Sequence, residues 1–422
     1  MTPEVKERIE QIRHGIVPEG YKKTKAGIVP EDWAEYTIGK CLERVERPVD
    51  VQADEMYTQI GIRSHGKGLF YKEPVTGASL GNKAVYWVEP DCFVLNIVFA
   101  WEQAVSKTTQ NEVGMIGSHR FPMYRPIGGR VDVDYLITYM LTKRGKDILE
   151  AASPGGAGRN RTLGQDRFMK SKIILPAAEK QHRIAEIISE QDKLIELKEK
   201  LLAEKQQQKK YLMQQLLTGK KRLPGFDGEW KNIKLSEVLF ERKEKNVNQD
   251  HRICSVAVQK GVVDQIEHLG RSYAAEDTSN YGVAHYGDVI YTKSPTGNFP
   301  YGIIKQSQMD ENIAVSPLYG IYKPACYELG YLLHTYFSYA INCSNYLLPI
   351  IQKGAKNTIN ITNEVFISKK LYLPVNHEEQ KALAGVFMSA DQEIDLLRKD
   401  MEQEKQKKKA LMQLLLTGVV RV

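Results

Sequence analysis

The chain has 422 residues, 42% hydrophobic and 26% charged, with a formal net charge of +7. No apolar run reaches the roughly 18 residues that cross a bilayer; the longest, Cys92 to Trp101, contains Asn96, and the charged start Met1-Thr2-Pro3-Glu4-Val5-Lys6 lacks the apolar stretch of a secretion signal. Five scattered cysteines (Cys41, Cys92, Cys254, Cys326, Cys343), never spaced Cys-x-x-Cys, argue against a disulfide framework or a structural zinc site, so the expectation is a cytoplasmic protein with no membrane partner and no metal.

In chain order, a short helix is expected over Pro3 to Arg13 in a segment running to residue 30. Residues 31–175 read as a mixed α/β domain. Its short strand-like runs, such as Ala84–Val88 and Phe93–Phe99, are bounded by Gly, Pro and Asn, and a helix falls at Val133–Lys143. A long helix then follows Pro176 and closes at Gly219. A second mixed domain occupies 220–373, with 220–226 as linker, strand-like runs at Asp288–Thr292, Tyr301–Lys305 and Lys369–Leu373, and a helix at Leu329–Tyr339. A second long helix fills 374–422, following Pro374 and closing at Gly418.

The order is a duplication. Gln181–Gly219 recurs without a gap as Gln380–Gly418, most plainly at Leu212-Met213-Gln214-Gln215-Leu216-Leu217-Thr218-Gly219 against Leu411-Met412-Gln413-Leu414-Leu415-Leu416-Thr417-Gly418. Tyr124-Arg125-Pro126 is echoed by Tyr322-Lys323-Pro324, and Phe168 by Phe366. Within each helix, alternating steps of four and three trace a coiled-coil seam. The apolar seam is Ile184, Ile188, Ile195, Leu202, Leu212 and Leu216 in the first copy, and Leu383, Phe387, Ile394, Leu397, Leu411 and Leu415 in the second. The two helices are expected to pair antiparallel about a pseudo-twofold axis, with the polar middles, Lys205–Lys210 and Lys405–Lys409, weakening the seam. Gly15-x-x-Pro18-x-Gly20-Tyr21 echoes Gly219 through Pro224-Gly225-Phe226, which places the Pro3–Arg13 helix beside Leu411–Leu415.

Catalytic signatures are missing. Gly61-Ile62-Arg63-Ser64-His65-Gly66-Lys67-Gly68 nearly matches a phosphate-binding loop but lacks its final Ser/Thr, and reads as a β-turn. The chain has no Pro-Pro pair, hence no Asn/Asp-Pro-Pro-Tyr/Phe motif of an amino-methyltransferase. Pro90-Asp91 with Glu102-Gln103-Ala104 lacks a nuclease lysine.

Two different domains, each bounded by a helix ending Leu-Met-Gln-x-Leu-Leu-Thr-Gly, resemble the specificity subunits of type I restriction-modification systems. The continuation Lys220-Lys221-Arg222-Leu223-Pro224-Gly225-Phe226, the opening Gly20-Tyr21-Lys22-Lys23-Thr24 to Trp33, and Gly287-Asp288-Val289-Ile290-Tyr291-Thr292 are similar too. The resemblance implies an α+β protein: two pseudo-twofold-related target-recognition domains joined by two long helices in an antiparallel coiled coil. It implies a DNA-binding subunit without catalysis, reading a bipartite asymmetric site. Its partners would be double-stranded DNA, two adenine-N6 methyltransferase subunits, and ATP-dependent restriction/translocase subunits. S-adenosylmethionine, ATP and Mg would belong to those partners, with no cofactor in this chain. Base and phosphate contacts draw on Arg, Lys, Asn and small hydroxyls. The candidate DNA-binding residues are Arg63, Ser64, Lys67, Arg159, Asn160 and Arg161 in the first half, and Lys293, Asn298, Lys353, Lys356 and Asn357 in the second. The competing reading is a coiled-coil scaffold with two protein-binding β-rich domains.

Overall fold

The computed structural model describes residues 2–25, 27–81, 83–155, 161–271, 274–353 and 359–422. It divides into two compact units: Met1–Lys198 with Asp400–Val422, and Glu199–Lys399. The two long helices, Ala178–Leu216 and His377–Leu415, are 39 residues each, and each gives one half to either unit.

The duplication is visible in strand order. In the first unit a four-stranded antiparallel sheet runs Leu42–Val45, Met123–Pro126, Phe93–Leu95, Val105–Lys107. In the second the order is Leu239–Glu241, Gly320–Pro324, Val289–Tyr291, Ile304–Gln306. Tyr124 pairs with Phe93 in the one and Tyr322 with Val289 in the other, which sets a residue-by-residue equivalence. Both tyrosines pack with the phenylalanine that the repeat predicts, Tyr124 on Phe168 and Tyr322 on Phe366. The second unit adds a sheet of Gly261–Asp264, Arg252–Ala257, Ile313–Val315 and Gly282–Ala284, in which Arg252 and Ile313 pair in parallel.

Each unit is closed by one strand pair beside the long helix. Ala34–Thr37 pairs with Lys172–Leu175, and Trp230–Lys234 with Lys370–Pro374. The helix that starts in one unit ends in the other, on its tryptophan. Gly418 (φ +74°) lies against Trp33 and Pro30, and Gly219 (φ +69°) against Trp230. A Cβ at Gly418 would stand 2.4 Å from Pro30 Cδ, so here glycine is required by close approach as well as by the left-handed cap.

The seam follows the four-three walk within each unit. Ile184, Ile188, Ile195 and Leu415 are buried in the first, and Leu216, Leu383, Phe387 and Ile394 in the second. Leu202, Leu212, Leu397 and Leu411 are half-buried, whereas the off-seam Leu197 and Leu396 are exposed. The polar middle is bridged by charge pairs. In the first unit Lys198 bridges Asp400 (2.7 Å) and Glu404 (3.0 Å), Gln191 donates to Glu404 (2.7 Å), and Lys408 meets Asp192 (2.5 Å). In the second, Lys205 meets Glu393 (2.7 Å) and Lys209 meets Asp391. Partner numbers rise on one helix as they fall on the other, the antiparallel order expected.

Two further elements bear on the expectations. The helix Pro3–Arg13 does sit by the end of the second long helix: Arg8 donates to the Val419 carbonyl (3.1 Å), and Ile9 and Ile12 share a cavity with Ala410 and Leu414. The single helix expected at Val133–Lys143 is instead two, Val133–Met140 and Lys143–Ala151. Thr142 restarts the chain as an N-cap, its hydroxyl accepting from Gly145 N.

Candidate nucleic-acid interface

In the first unit, strands Ile60–Ile62 and Leu69–Tyr71 form a hairpin whose loop carries Arg63, Ser64 and Lys67. This is the β-turn expected of the failed phosphate-loop match. It is more firmly held than a solvated turn. His65 N donates to the Glu102 carbonyl (2.8 Å) and Gly66 N to the Gln103 carbonyl (3.0 Å). The Ser64 hydroxyl donates to the Glu102 carboxylate (2.9 Å). Gly66 has φ +64°, and a Cβ there would stand 2.5 Å from the Leu141 side chain, so glycine is favoured at the loop's tightest point.

These contacts sort the candidates. Ser64 is committed to Glu102 and positions the loop. Arg63 donates to the Leu69 carbonyl (2.5 Å) and lies 5.1 Å from the Phe70 ring centroid, with its side chain still exposed. Lys67 is exposed. Arg161 lies 5.5 Å from the Trp101 ring centroid. The short 3-10 turn Ala100–Glu102 therefore gathers two loops: Glu102 holds Ser64 and Trp101 carries Arg161. Sequence reasoning missed this turn. Its one signal was a tryptophan followed by Glu and Gln after the buried run Phe93–Leu95. Arg159 and Asn160 lie outside the described residues.

In the second unit the loop after Val289–Tyr291 carries Lys293 and Asn298. Thr296 and Phe299 exchange backbone hydrogen bonds, and Phe299 is buried beneath the loop. Asn298 is exposed. Lys293 is not: it is half-buried with φ +59°, and burial pushes its ammonium below the usual lysine range. A lysine partly withdrawn from water is poorly placed for the bulk phosphate attraction that an exposed one offers. Lys353 falls in the short strand Gln352–Lys353, paired with Ile359–Asn360. Lys356 and Asn357 lie outside the described residues.

One cluster was not singled out from the sequence. Among the described residues, Cys326, Glu328 and His377 bring one potential ligand atom each within 4.8 Å of one another. Burial pushes the Cys326 thiol up, and its sulfur lies 3.3 Å from the Gln380 amide oxygen, an arrangement of a protonated donor rather than a thiolate ligand.

Comparisons with known proteins agree with this architecture. Residues 89–207 match the family model described as the type I restriction modification DNA specificity domain. The chain is 25% identical over 434 residues to the type I restriction enzyme MjaVIII specificity subunit of Methanocaldococcus jannaschii, covering 96% of both chains. Among solved structures it is similar to the type I restriction-modification S subunit from M. genitalium, with TM-score 0.55 and 11% identity, covering 91% of this chain and 96% of that one. It also resembles a chain from a study of complex assembly and conformational transition of the type I R-M system, with TM-score 0.54 and 16% identity, covering 93% and 99%. With a specificity-domain match in its first half, an end-to-end sequence relative and a similar two-domain fold, the chain is similar to the specificity subunits of type I restriction-modification systems.

Proposed function

We propose that each unit reads one part of a split DNA site, and that the chain does no chemistry of its own. The observation that carries this reading is one strand order used twice with different side chains at equivalent places. A scaffold kept constant while its loops diverge is what two readers of different sequences require. The long paired helices are continuous elements of 39 residues, and we assign them the fixed, unread gap between the two parts. Two adenine-N6 methyltransferase subunits and ATP-dependent restriction subunits would bring S-adenosylmethionine, ATP and Mg. No helix among the described residues is long and apolar enough to cross a membrane. A complex that acts on cellular DNA would work in the cytoplasm, where that DNA is.

The test is to co-express the chain with its methyltransferase and map methylated adenines across host DNA. Two short defined parts around a constant gap are expected, and exchanging residues 220–373 for those of a similar specificity subunit should alter one part alone. A continuous motif, or both parts changing together, would sink the two-reader model and favour the scaffold reading.

Within the reader of the first unit, Lys67→Ala and Arg161→Ala should each weaken binding to all sequences alike. Each should also lower the slope of log affinity against log salt by about one, as expected for the loss of one phosphate contact. Ser64→Ala should leave that slope unchanged, because its hydroxyl is engaged with Glu102. Filter binding across a salt series separates these outcomes, and an unchanged slope in Lys67→Ala would remove it from the contact set.

A further inference from the structure

A cavity of about 710 Å³ lies inside the second unit. It is lined by Lys209 and Lys210 of the first long helix, Arg398 of the second, and Lys305 and His334 of the globular part. Asp391 is the acidic residue among its lining side chains. That carboxylate is already taken, by the Lys209 ammonium and by the Tyr331 hydroxyl (2.6 Å).

Lys305 is the anomaly. It sits in the strand Ile304–Gln306 and is only 5% exposed. An ammonium has three N–H donors. Among the described residues Lys305 uses one, to the Ser338 hydroxyl (2.8 Å), which passes its own proton to the His334 carbonyl (2.8 Å). Its hydrogen-bond partner there is a neutral hydroxyl, not a carboxylate. His334 Nδ1 accepts from Gln306 N (3.0 Å), so the proton of the neutral ring is on Nε2 and the ring's remaining polar atom is a donor. Burial, together with the charges of Lys305 and Lys209, holds His334 well below the usual histidine range and so keeps it neutral. Lys210 lies 5.3 Å from the Tyr339 ring centroid, with its ammonium still at the cavity. The walls thus present a neutral N–H donor and four cations, of which Lys209 pairs with Asp391 and Arg398 with Asp395 (3.2 Å), leaving Lys305 and Lys210 with no carboxylate among the ion pairs of the described residues.

The first unit has a matching cavity of about 610 Å³ lined by Lys143, Arg144, Lys405, Lys408 and Lys409, but no buried lysine. Strand pairing makes Ser106 the counterpart of Lys305. The helix N-caps Asp132, beside Gln181, and Cys326, beside Gln380, align the two helices so that Met140 is the counterpart of His334. Both are buried and uncharged in the first unit, on the same strand order. A charge buried without a counter-charge is costly. Where the scaffold manages without one, its presence calls for a ligand that compensates it.

We propose that this cavity binds the phosphate group of a small molecule, a phosphomonoester or nucleotide, with Lys305 at the floor and Lys210 and Arg398 at the rim. A phosphate dianion accepts several N–H donors at once and neutralises the excess charge. The volume falls within the range usual for small-molecule sites. A DNA backbone is a poorer fit, because its phosphates are met by exposed side chains whereas Lys305 is buried.

The experiment uses the full chain in its assembled complex, titrated calorimetrically with inorganic phosphate and with AMP at constant ionic strength. The comparison is with complexes carrying Lys305→Met and, at the exposed rim, Arg398→Ala. One binding event per chain is expected, abolished by Lys305→Met and weakened about tenfold by Arg398→Ala. Should Lys305→Met fail to fold, the rim variant alone still decides. Binding identical in wild type and Arg398→Ala, or no binding of either probe, would overturn the proposal. So would displacement of phosphate by duplex DNA together with a loss of DNA affinity in Arg398→Ala, since the cavity would then be a DNA-backbone contact.

Discussion

Replacing Arg242 by valine should destabilise the second unit by about 3 kcal/mol, the loss typical of removing one partner from a buried ion pair. Asp288 is buried, and the Arg242 guanidinium grips it through two nitrogens, at 2.6 and 3.1 Å. The same carboxylate accepts from His285 N (2.8 Å), closing the turn in which Gly287 takes φ +85°. Without the arginine, a carboxylate remains in the core with one backbone donor. The first unit shows what the position tolerates. By strand pairing, Val45 is the counterpart of Arg242 and Cys92 of Asp288, and these two lie in one apolar cluster there. Asp91 stands where Gly287 does and keeps the left-handed turn at φ +57°. The double variant Arg242→Val with Asp288→Cys should therefore recover most of the loss, to within about 1 kcal/mol of wild type, the remainder reflecting the unsatisfied His285 N–H. Thermal melts read this directly. The single variant should melt roughly 10 °C lower, and the double variant only a few degrees lower. A single variant that melts with the wild type would mean the ion pair contributes nothing net.

That pairing illustrates where sequence reasoning stops. The long helices, their caps and the four-three seam were legible because each rests on local spacing: proline before, glycine after, apolar residues at fixed steps. The duplication was legible because the helix ends repeat almost letter for letter. The ion pairs in the seam were not, since Lys198 finds Asp400 and Glu404 only once the antiparallel register is fixed. Arg242 and Asp288 could not be matched to Val45 and Cys92 by eye, for the globular halves share too few identical residues. The equivalence appears only in strand pairing.

The candidate interface was legible by residue type and not by commitment. Ser64 and Lys67 look alike as polar loop residues, yet one is engaged by Glu102 and the other is exposed. The turn at Trp101 lies far before Arg161 in sequence, and only folding joins them. Lys305 carries no mark of its burial in the sequence, because alternation cannot identify a strand buried on both faces, such as Ile304–Gln306.

Lys305 also sets a pH dependence that can be measured. Burial, reinforced by the nearby positive charge of Lys209, pushes its ammonium down to about 8, while Asp391 and the Cys343 thiol act the other way. In the unfolded chain it titrates near the ordinary lysine value of about 10.4. Below pH 8 both states hold the proton, so the folded state carries the full cost of the buried charge. Between pH 8 and 10 the folded state releases it while the unfolded state keeps it, so stability rises with pH, by about 2 kcal/mol between pH 7 and pH 10. His334, held below its usual range, has the same sign at lower pH: folded stability falls as pH drops through about 6.5, where the unfolded ring takes up a proton. The buried tyrosines set the upper limit of the window. Burial raises Tyr291 and Tyr346, so above pH 10 the unfolded state loses protons that the folded state keeps, and stability turns down. Urea unfolding at pH 7, 8, 9 and 10 should therefore show a rise that Lys305→Met abolishes, with the variant the more stable protein at pH 7. Saturating phosphate should flatten the wild-type rise in the same way, because an anion beside Lys305 keeps its proton in place. A wild-type curve that is already flat without phosphate would mean the ammonium is compensated within the fold, and would leave the cavity no excess charge to offer a ligand.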